Sequence, residues 1–216
     1  MSVILGLLFL AIVIGIAIWR QRKAVPASEE KVPLTIKLKL PSIWKRIFVH
    51  PGHAWVKVLE PSLIAVGVDD FTSSVFGSVE ALSLPHPGTR IQQGEKVWGF
   101  RRGKRELAQT SPISGTVVEI NRELVDNPKL LAHKDTEKSW ILKVRPDRLK
   151  GELQNLLHGT ILKRWNQAIK DQLVATLTTA EFPVLQEGGE IKPGLGDELT
   201  SEQWEKVNKE FFDSDE

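Results

Sequence analysis

The residues with the clearest chemical potential lie in the short run RRGKR, at positions 101–105. Lys104 offers a primary amine on a long, flexible stem, and such an amine can form a stable amide with the carboxyl group of a cofactor. Gly103 is the natural residue for a tight turn between the apolar segments KVWGF and ELAQT. We therefore expect Lys104 at or beside the tip of a hairpin, either as an attachment point or as one cation of a basic patch.

No second set of reactive residues accompanies this lysine. The chain contains no cysteine, which excludes disulfides, thiolate metal sites and cysteine nucleophiles. Its five histidines are scattered, with no carboxylate pairing that indicates a metal site, so we predict no metal site, and His53 is expected to pack or hydrogen-bond. No nucleophile elbow or phosphate loop is visible. The sequence predicts a carrier or accessory subunit and not a free-standing enzyme.

The basic tip has a meaning even without a cofactor. Four cations in five residues attract an acidic protein surface, a phosphate or anionic lipid. Nucleic acid is a poor match, because a single short patch without interleaved aromatic residues lacks a stacking platform. We therefore predict no nucleic-acid binding, and we regard Arg101, Arg102 and Arg105 as candidate contacts for a protein partner.

Residues 50–146 have the pattern of an all-β domain that could present such a hairpin. Short apolar runs such as AWVKVL, LIAVGV and GTVVEI are separated by Gly, Pro, Asn and Asp, with close to one strand per ten residues. One helical stretch interrupts them at Asp70–Phe76, where Asp69 or Asp70 can cap the first turn. A hydrophobic content of 41% is enough for a real core.

The N-terminal segment predicts a membrane anchor in residues 1–20. Val3 to Trp19 carries no charge, and about 25 Å of helix is the short end of what crosses a bilayer. A cleaved signal peptide is one alternative, but the positive charges follow the apolar run instead of preceding it. A buried core helix is another, but the apolar character on all sides of the segment argues against it. The positive-inside rule then predicts a single-pass protein of the cell membrane with its C-terminal part in the cytoplasm.

Residues 21–49 are predicted to be a juxtamembrane linker that contains a basic amphipathic segment. Leu34 to Leu40 alternates as a strand does, and Pro41 to Phe48 places aromatic and apolar residues beside Lys45 and Arg46. Pro41–Phe48, as a helix with one apolar face, could lie against anionic lipid. Alternatively, Leu34–Leu40 could form an edge strand and Pro41–Phe48 a short helix, both packed on the domain. The residues leave both alternatives open.

Residues 159–216 are predicted to form a helical C-terminal extension with an acidic tail. Ile161–Leu177 is amphipathic, and Thr200 with Gln203 predicts a capping box at the start of a further helix. These helices could cover the β domain or dock on a partner, with Trp165 and Trp204 as contacts. The length of the extension favours docking.

Several stretches in order along the chain resemble the glycine cleavage system H protein, a relative of lipoyl domains. They are HPGHAWV (His50–Val56), the long block from Gly67 to Phe100, SPISGTVVEINREL (Ser111–Leu124), DNPKLL (Asp126–Leu131) and SWILKVRP (Ser139–Pro146). The resemblance covers about a hundred residues, predicted as a domain over 50–158. It implies a mainly β fold, a lipoyl-type flattened β-barrel sandwich with peripheral helices.

The resemblance also implies a role for Lys104. In that family the lysine that carries lipoate stands eight residues before the proline of the Pro-Ile/Val-Ser-Gly corner, and counting back from Pro112 leads to Lys104. The surroundings depart from the family, since Arg101 stands where an acidic residue is usual and Arg105 where alanine is usual. Biotin is disfavoured because no methionine flanks the lysine.

Two functions follow from these observations. The favoured interpretation is a membrane-anchored, H-protein-like accessory or scaffold subunit of a membrane protein complex, whose basic tip and C-terminal helices contact other subunits. The alternative is a group carrier whose lipoyl arm on Lys104 serves glycine-cleavage-type or sulfur and redox enzymes. A carrier that shuttles between free enzymes is awkward to reconcile with a membrane tether.

Overall fold

A computed structural model describes residues 46–132, 138–177, 184–185, 189–192 and 194–213. The predicted anchor in residues 1–20 and the predicted linker up to residue 45 lie outside these ranges. Within the described ranges, no helix is both long enough and apolar enough to cross a membrane.

Nine strands of the described chain form two antiparallel sheets, which agrees with the expected mainly β fold. The larger sheet has the order β1-β2-β3-β9-β8-β5, and the smaller one has the order β4-β6-β7. The strands are β1 Ile47–Val49, β2 Ala54–Glu60, β3 Leu63–Val68, β4 Ala81–Ser83, β5 Arg90–Ile91, β6 Lys96–Arg102, β7 Arg105–Thr110, β8 Gly115–Ile120 and β9 Leu142–Pro146.

The core holds inward side chains from both sheets. Because successive strand residues point to opposite faces, Ala54, Val56 and Val58 of β2 face this core together, and Trp98 and Phe100 of β6 face it from the smaller sheet. The outer face of the larger sheet carries a second apolar cluster. It includes Val49, Trp55 and Ala65, against which Trp140, Leu162 and Trp165 pack.

Strand β1 corrects the boundary predicted for the linker. Ile47, Phe48 and Val49 pair with Lys57, Val56 and Trp55 of β2, so the last three residues of the segment 21–49 belong to the β domain. Phe48 is buried in the core. The short helix expected over Pro41–Phe48 is therefore wrong for Ile47 and Phe48, because both residues pair with β2 as a strand. The edge strand expected at Leu34–Leu40 lies outside the described residues.

The helices of the described chain lie around this scaffold. They are α1 Asp70–Phe76, α2 Arg122–Asp126, α3 Leu149–Glu152, α4 Gly159–Leu177, α5 Leu195–Glu198 and α6 Ser201–Phe211, with 3-10 turns at Pro128–Ala132 and Leu153–Asn155. The predicted cap of α1 is confirmed, since the Asp69 side chain accepts a hydrogen bond from the Thr72 N–H. The capping box of Thr200 and Gln203 at the start of α6 is confirmed as well.

The C-terminal helices pack on the β domain, so the favoured expectation of docking on a partner is wrong for their apolar faces. Leu173 and Leu177 of α4 and Trp204, Val207 and Phe211 of α6 are all buried in the same core as the strands. The aromatic ring of Trp204 meets Phe76 of α1 edge-on at 5.3 Å. An apolar stripe in a sequence does not show which surface covers it. In this chain the β domain covers it.

Candidate functional site

A tight hairpin between β6 and β7 presents Lys104. Phe100 pairs with Leu107, Arg101 with Glu106 and Arg102 with Arg105, which leaves Gly103 and Lys104 as the two-residue loop. Gly103 has a φ of 55°, the left-handed conformation that two-residue turns favour at their first position and that glycine adopts without strain. The predicted reversal of the chain at Gly103 is therefore observed.

The Lys104 side chain is exposed at this tip. Among the described residues, none forms a hydrogen bond or an ion pair with its amine. A Cβ atom placed on the adjacent Gly103 would have nothing within 4 Å, which shows how open the tip is. An amine in this position can be reached by a second protein and can carry an arm that moves through solvent.

Glu80, the residue before β4, brings an acidic group to the tip. Its carboxylate Oε2 accepts a hydrogen bond of 2.9 Å from the Gly103 N–H, next to Lys104. Its own backbone N–H donates to the Arg101 carbonyl at 3.0 Å. The acid that the family has at position 101 is absent, but the tip is not without a carboxylate. The sequence pattern missed Glu80 because it lies 23 residues from the turn.

Arg102, on the β6 side of the turn, contacts the C-terminal extension. Its Nη1 lies 2.5 Å from Oδ1 of Asp197 and donates to the Gly196 carbonyl at 3.2 Å. Asp197 also accepts hydrogen bonds of 2.9 Å from the N–H and the hydroxyl of Ser78, directly after α1. The carboxylate therefore connects the hairpin, α1 and α5.

Arg105, on the β7 side of the turn, contacts the same segment. Its guanidinium donates to the Gly196 carbonyl at 2.7 Å and to the Leu199 carbonyl, and it lies 5.8 Å from the centre of the Trp204 ring. Burial lowers the pKa of Arg105 below its usual value, Arg102 lowers it further, and Asp197 opposes the shift. These carbonyl contacts replace the water that the half-buried guanidinium has lost.

The remaining partner-contact candidates are placed differently. Arg101 is exposed beside Lys104, on the strand position that pairs with Ala81. Trp204 is only 5% exposed, which corrects its assignment as a partner contact, because its indole fills the interface between α6 and α1. Trp165 is half-buried and lies against the His53 ring at 4.9 Å, so much of its surface is used within the chain.

His53 packs and hydrogen-bonds, as expected. Its Nδ1 lies 2.8 Å from the Asp69 carboxylate, and its ring stacks on Phe71 at 4.4 Å and contacts Phe212 at 5.2 Å. It has a φ of 65°, which is unusual for a residue with a side chain and which the sequence did not indicate. No group of three or more potential ligands that could hold a metal ion occurs in the described part of the chain.

The antiparallel β scaffold displays one lysine at the open tip of a tight hairpin. These features define a class of small domain that is suited to carry a covalently attached group. The amine is exposed, has no hydrogen-bond or ion-pair partner among the described residues, and is held on a tight turn, and these are properties that suit an attached arm. The hairpin thus fits a lysine-linked cofactor.

Comparison with known proteins gives the family. The family model "Glycine cleavage H-protein" matches residues 47–170. The chain is 32% identical over 105 residues to a probable glycine cleavage system H protein of Pyrococcus furiosus, covering 49% of this chain and 78% of that protein. It is 36% identical over 105 residues to the glycine cleavage system H protein of Geobacillus thermodenitrificans, covering 49% and 81%. A solved H-protein structure from Mycobacterium marinum matches with 23% identity and a TM-score of 0.43, covering 46% and 83%.

The chain belongs to the glycine cleavage H-protein family. The match begins at β1, three residues before the predicted domain start, and runs to residue 170 within α4, beyond the predicted end at 158. Helices α5 and α6 lie after the matched region. Members of the family are carriers rather than catalysts, and lipoate is the cofactor that membership implies.

Proposed function

We propose that this protein is a lipoyl group carrier whose attachment point is Lys104. The observation that supports it most strongly is the exposed amine at the β6–β7 tip of an H-protein domain, which no residue of the described ranges engages. The position, eight residues before Pro112, is the one the family uses. The carrier function, first weighed as the alternative, is thus better supported than an accessory subunit.

The residues of the hairpin each have a task in this function. Lys104 would hold the cofactor: its amine would form an amide with the lipoate carboxyl group, supplied in activated form by an attachment enzyme, and would lose a proton to solvent as the activating group leaves. Gly103 and Glu80 hold the turn that presents this amine. The attached group would supply a dithiolane, which accepts electrons or a transferred group, in a chain that has no cysteine.

The partners of such a carrier are the enzymes that load and unload its arm. By analogy with the relatives, these are proteins of a glycine-cleavage-type system or other enzymes that exchange sulfur or electrons with a dithiol. Two of the three arginines expected to form a basic partner surface, Arg102 and Arg105, are engaged within the chain, which weakens the accessory-subunit interpretation.

We also propose, from residues 3–19 alone, that the carrier is tethered to the cell membrane with its β domain in the cytoplasm. A tether would confine the arm to enzymes at the membrane surface. Fractionation of cells that express the full chain, compared with a variant lacking residues 1–20, tests this localisation. Recovery of both forms in the soluble fraction would contradict it.

The carrier function is tested by the redox chemistry of the loaded protein. After expression with a lipoate-attaching system, the protein should support NADH oxidation by a dihydrolipoyl dehydrogenase, because the enzyme reduces the attached disulfide. Lys104→Arg should abolish this activity and keep the charge of the tip. Lys129→Arg, at an exposed lysine away from the hairpin, should retain it. Equal activity of the two variants would contradict Lys104 as the site.

A further inference from the structure

We propose that residues 195–199 of the C-terminal extension position the Lys104 tip, so that Arg102, Arg105 and Asp197 determine how well an attachment enzyme recognises it. This inference rests on the proposed function, and it concerns a segment that lies after the region shared with the family. It assigns a role to the two arginines that flank the lysine turn.

The contacts reach both strands of the hairpin. Arg102 ends β6 and Arg105 begins β7, and both donate to the same acceptor, the carbonyl of Gly196. Arg105 reaches the Leu199 carbonyl as well. One backbone carbonyl therefore joins the two arms of the turn on either side of Lys104. A hairpin tied at both arms has less freedom to twist or splay than one tied by its own ladder alone.

The segment that holds the hairpin is itself firmly attached. Leu195 and Leu199 are buried in the core, and Asp197 receives two hydrogen bonds from Ser78. Gly196 lies so close to α1 that a Cβ on it would be 2.3 Å from the backbone nitrogen of Gly77. The hairpin is thus anchored to α1 through residues 195–199 and not to a loosely packed end of the chain.

These contacts also decide which charges surround the amine. Arg102 points to the Asp197 carboxylate and Arg105 to two carbonyl oxygens, so both guanidinium groups are directed to the extension. Arg101 and Lys104 remain exposed, with the Glu80 carboxylate at the turn. If residues 195–199 released the arginines, two further mobile cations would surround the lysine. An enzyme that recognises the tip by shape and charge would bind this altered tip more weakly.

The test is a double-mutant cycle on lipoate attachment. Purified full chain and the variants Arg102→Ala, Asp197→Ala and the double substitution are incubated with a lipoate ligase, lipoate and ATP, and initial rates are measured against acceptor concentration. Each single variant should raise KM roughly three- to tenfold, the effect of losing one charge-assisted contact. The kcat should stay within about twofold, because the amine is unchanged. The double variant should be impaired by less than the product of the two single effects, because both single substitutions break the Arg102–Asp197 contact.

Glu205→Ala provides the matched control, because Glu205 is exposed on α6 and, in the described part of the chain, makes no hydrogen bond or ion pair with Arg102 or Arg105. It should leave KM unchanged. Should Asp197→Ala fail to fold, Asp197→Asn keeps the shape and hydrogen-bonding capacity toward Ser78 while removing the charge that Arg102 requires. An unchanged KM for Asp197→Ala or Asp197→Asn, or multiplicative effects in the cycle, would overturn the proposal.

A second readout separates this inference from the proposed function. Amide hydrogen exchange over residues 100–106 reports the freedom of the tip without any attached group. Asp197→Ala should speed exchange there by roughly tenfold, the effect of losing about one such contact, while Glu205→Ala should not. If the wild-type chain accepts no lipoate but exchange rises in this way, the carrier function fails and the positioning stands. If exchange does not change, the positioning fails.

Discussion

Replacing Gly196 with alanine would place a methyl group inside the backbone of helix α1. The new Cβ would lie 2.3 Å from the Gly77 nitrogen, 2.5 Å from the Phe76 carbonyl carbon and 2.5 Å from the Val75 oxygen. Ordinary contacts start at 3.4 Å, so α5 or α1 must move by about 1 Å. All three obstructing atoms belong to the main chain and cannot rotate away.

The expected cost follows from this geometry. Overpacking a dense interior costs about 1–3 kcal/mol, and we expect about 3 kcal/mol because the displaced atoms are backbone. The Gly196 carbonyl that binds Arg102 and Arg105 would move with α5, so part of the cost is the loss of these two hydrogen bonds. The α5–α1 contact should therefore open before the β domain unfolds.

Equilibrium urea unfolding measures this loss. Gly151→Ala is the matched control, since nothing lies within 4 Å of its Cβ position and it belongs to helix α3. The free energy of unfolding of that variant should be about 0.5–1 kcal/mol higher than that of the wild type, because alanine restricts the unfolded chain more than glycine does. Gly196→Ala with wild-type stability, or with a gain like the one expected for Gly151→Ala, would refute the close packing of α5 on α1.

Three further predictions concern the stability of the folded chain. Trp204→Ala should lower the free energy of unfolding in urea by about 3–5 kcal/mol, because Trp204 is only 5% exposed. Trp165 is half-buried, so Trp165→Ala should lower it less, and equal losses would argue against the burial of Trp204. Thr200→Ala should cost about 0.5–2 kcal/mol through loss of the capping box, whereas the exposed Ser201→Ala should cost little; a negligible effect of Thr200→Ala would count against the cap. Burial lowers the pKa of His50, and His53 lowers it further, so the folded state resists protonation. The free energy of unfolding should therefore fall with pH below about 6.5 and level off below the folded pKa; His50→Gln should reduce this slope, and an unchanged slope would contradict the prediction.

The hairpin and the helix starts could be predicted because their signals are local. Gly103 lies between two apolar segments, so a reversal there follows from turn chemistry, and the pairing of Arg102 with Arg105 agrees. Asp69 and Thr200 precede amphipathic stretches with the side chains that cap a helix. Each of these features is determined by residues within a few positions of one another.

The surroundings of Lys104 could not be predicted in the same way. Arg105 binds the carbonyls of Gly196 and Leu199, more than 90 residues away, and a backbone carbonyl has no sequence signature. Asp197 lies in a stretch rich in glycine and proline, which favours a loop. Its role comes from its contacts with Ser78, 119 residues away along the chain, and with Arg102. In the sequence the arginines therefore resemble a solvent-exposed basic patch, although in the folded chain two of them bind other residues of the protein.

The most direct test of the central claim is mass spectrometry of the peptide that contains Lys104, from full chain purified out of cells with active lipoate attachment. The account predicts the mass increment of one lipoyl group on Lys104 in the wild-type protein and in Lys129→Arg, and no increment anywhere in Lys104→Arg. An unmodified Lys104, or a lipoyl group found on a different lysine, would contradict it.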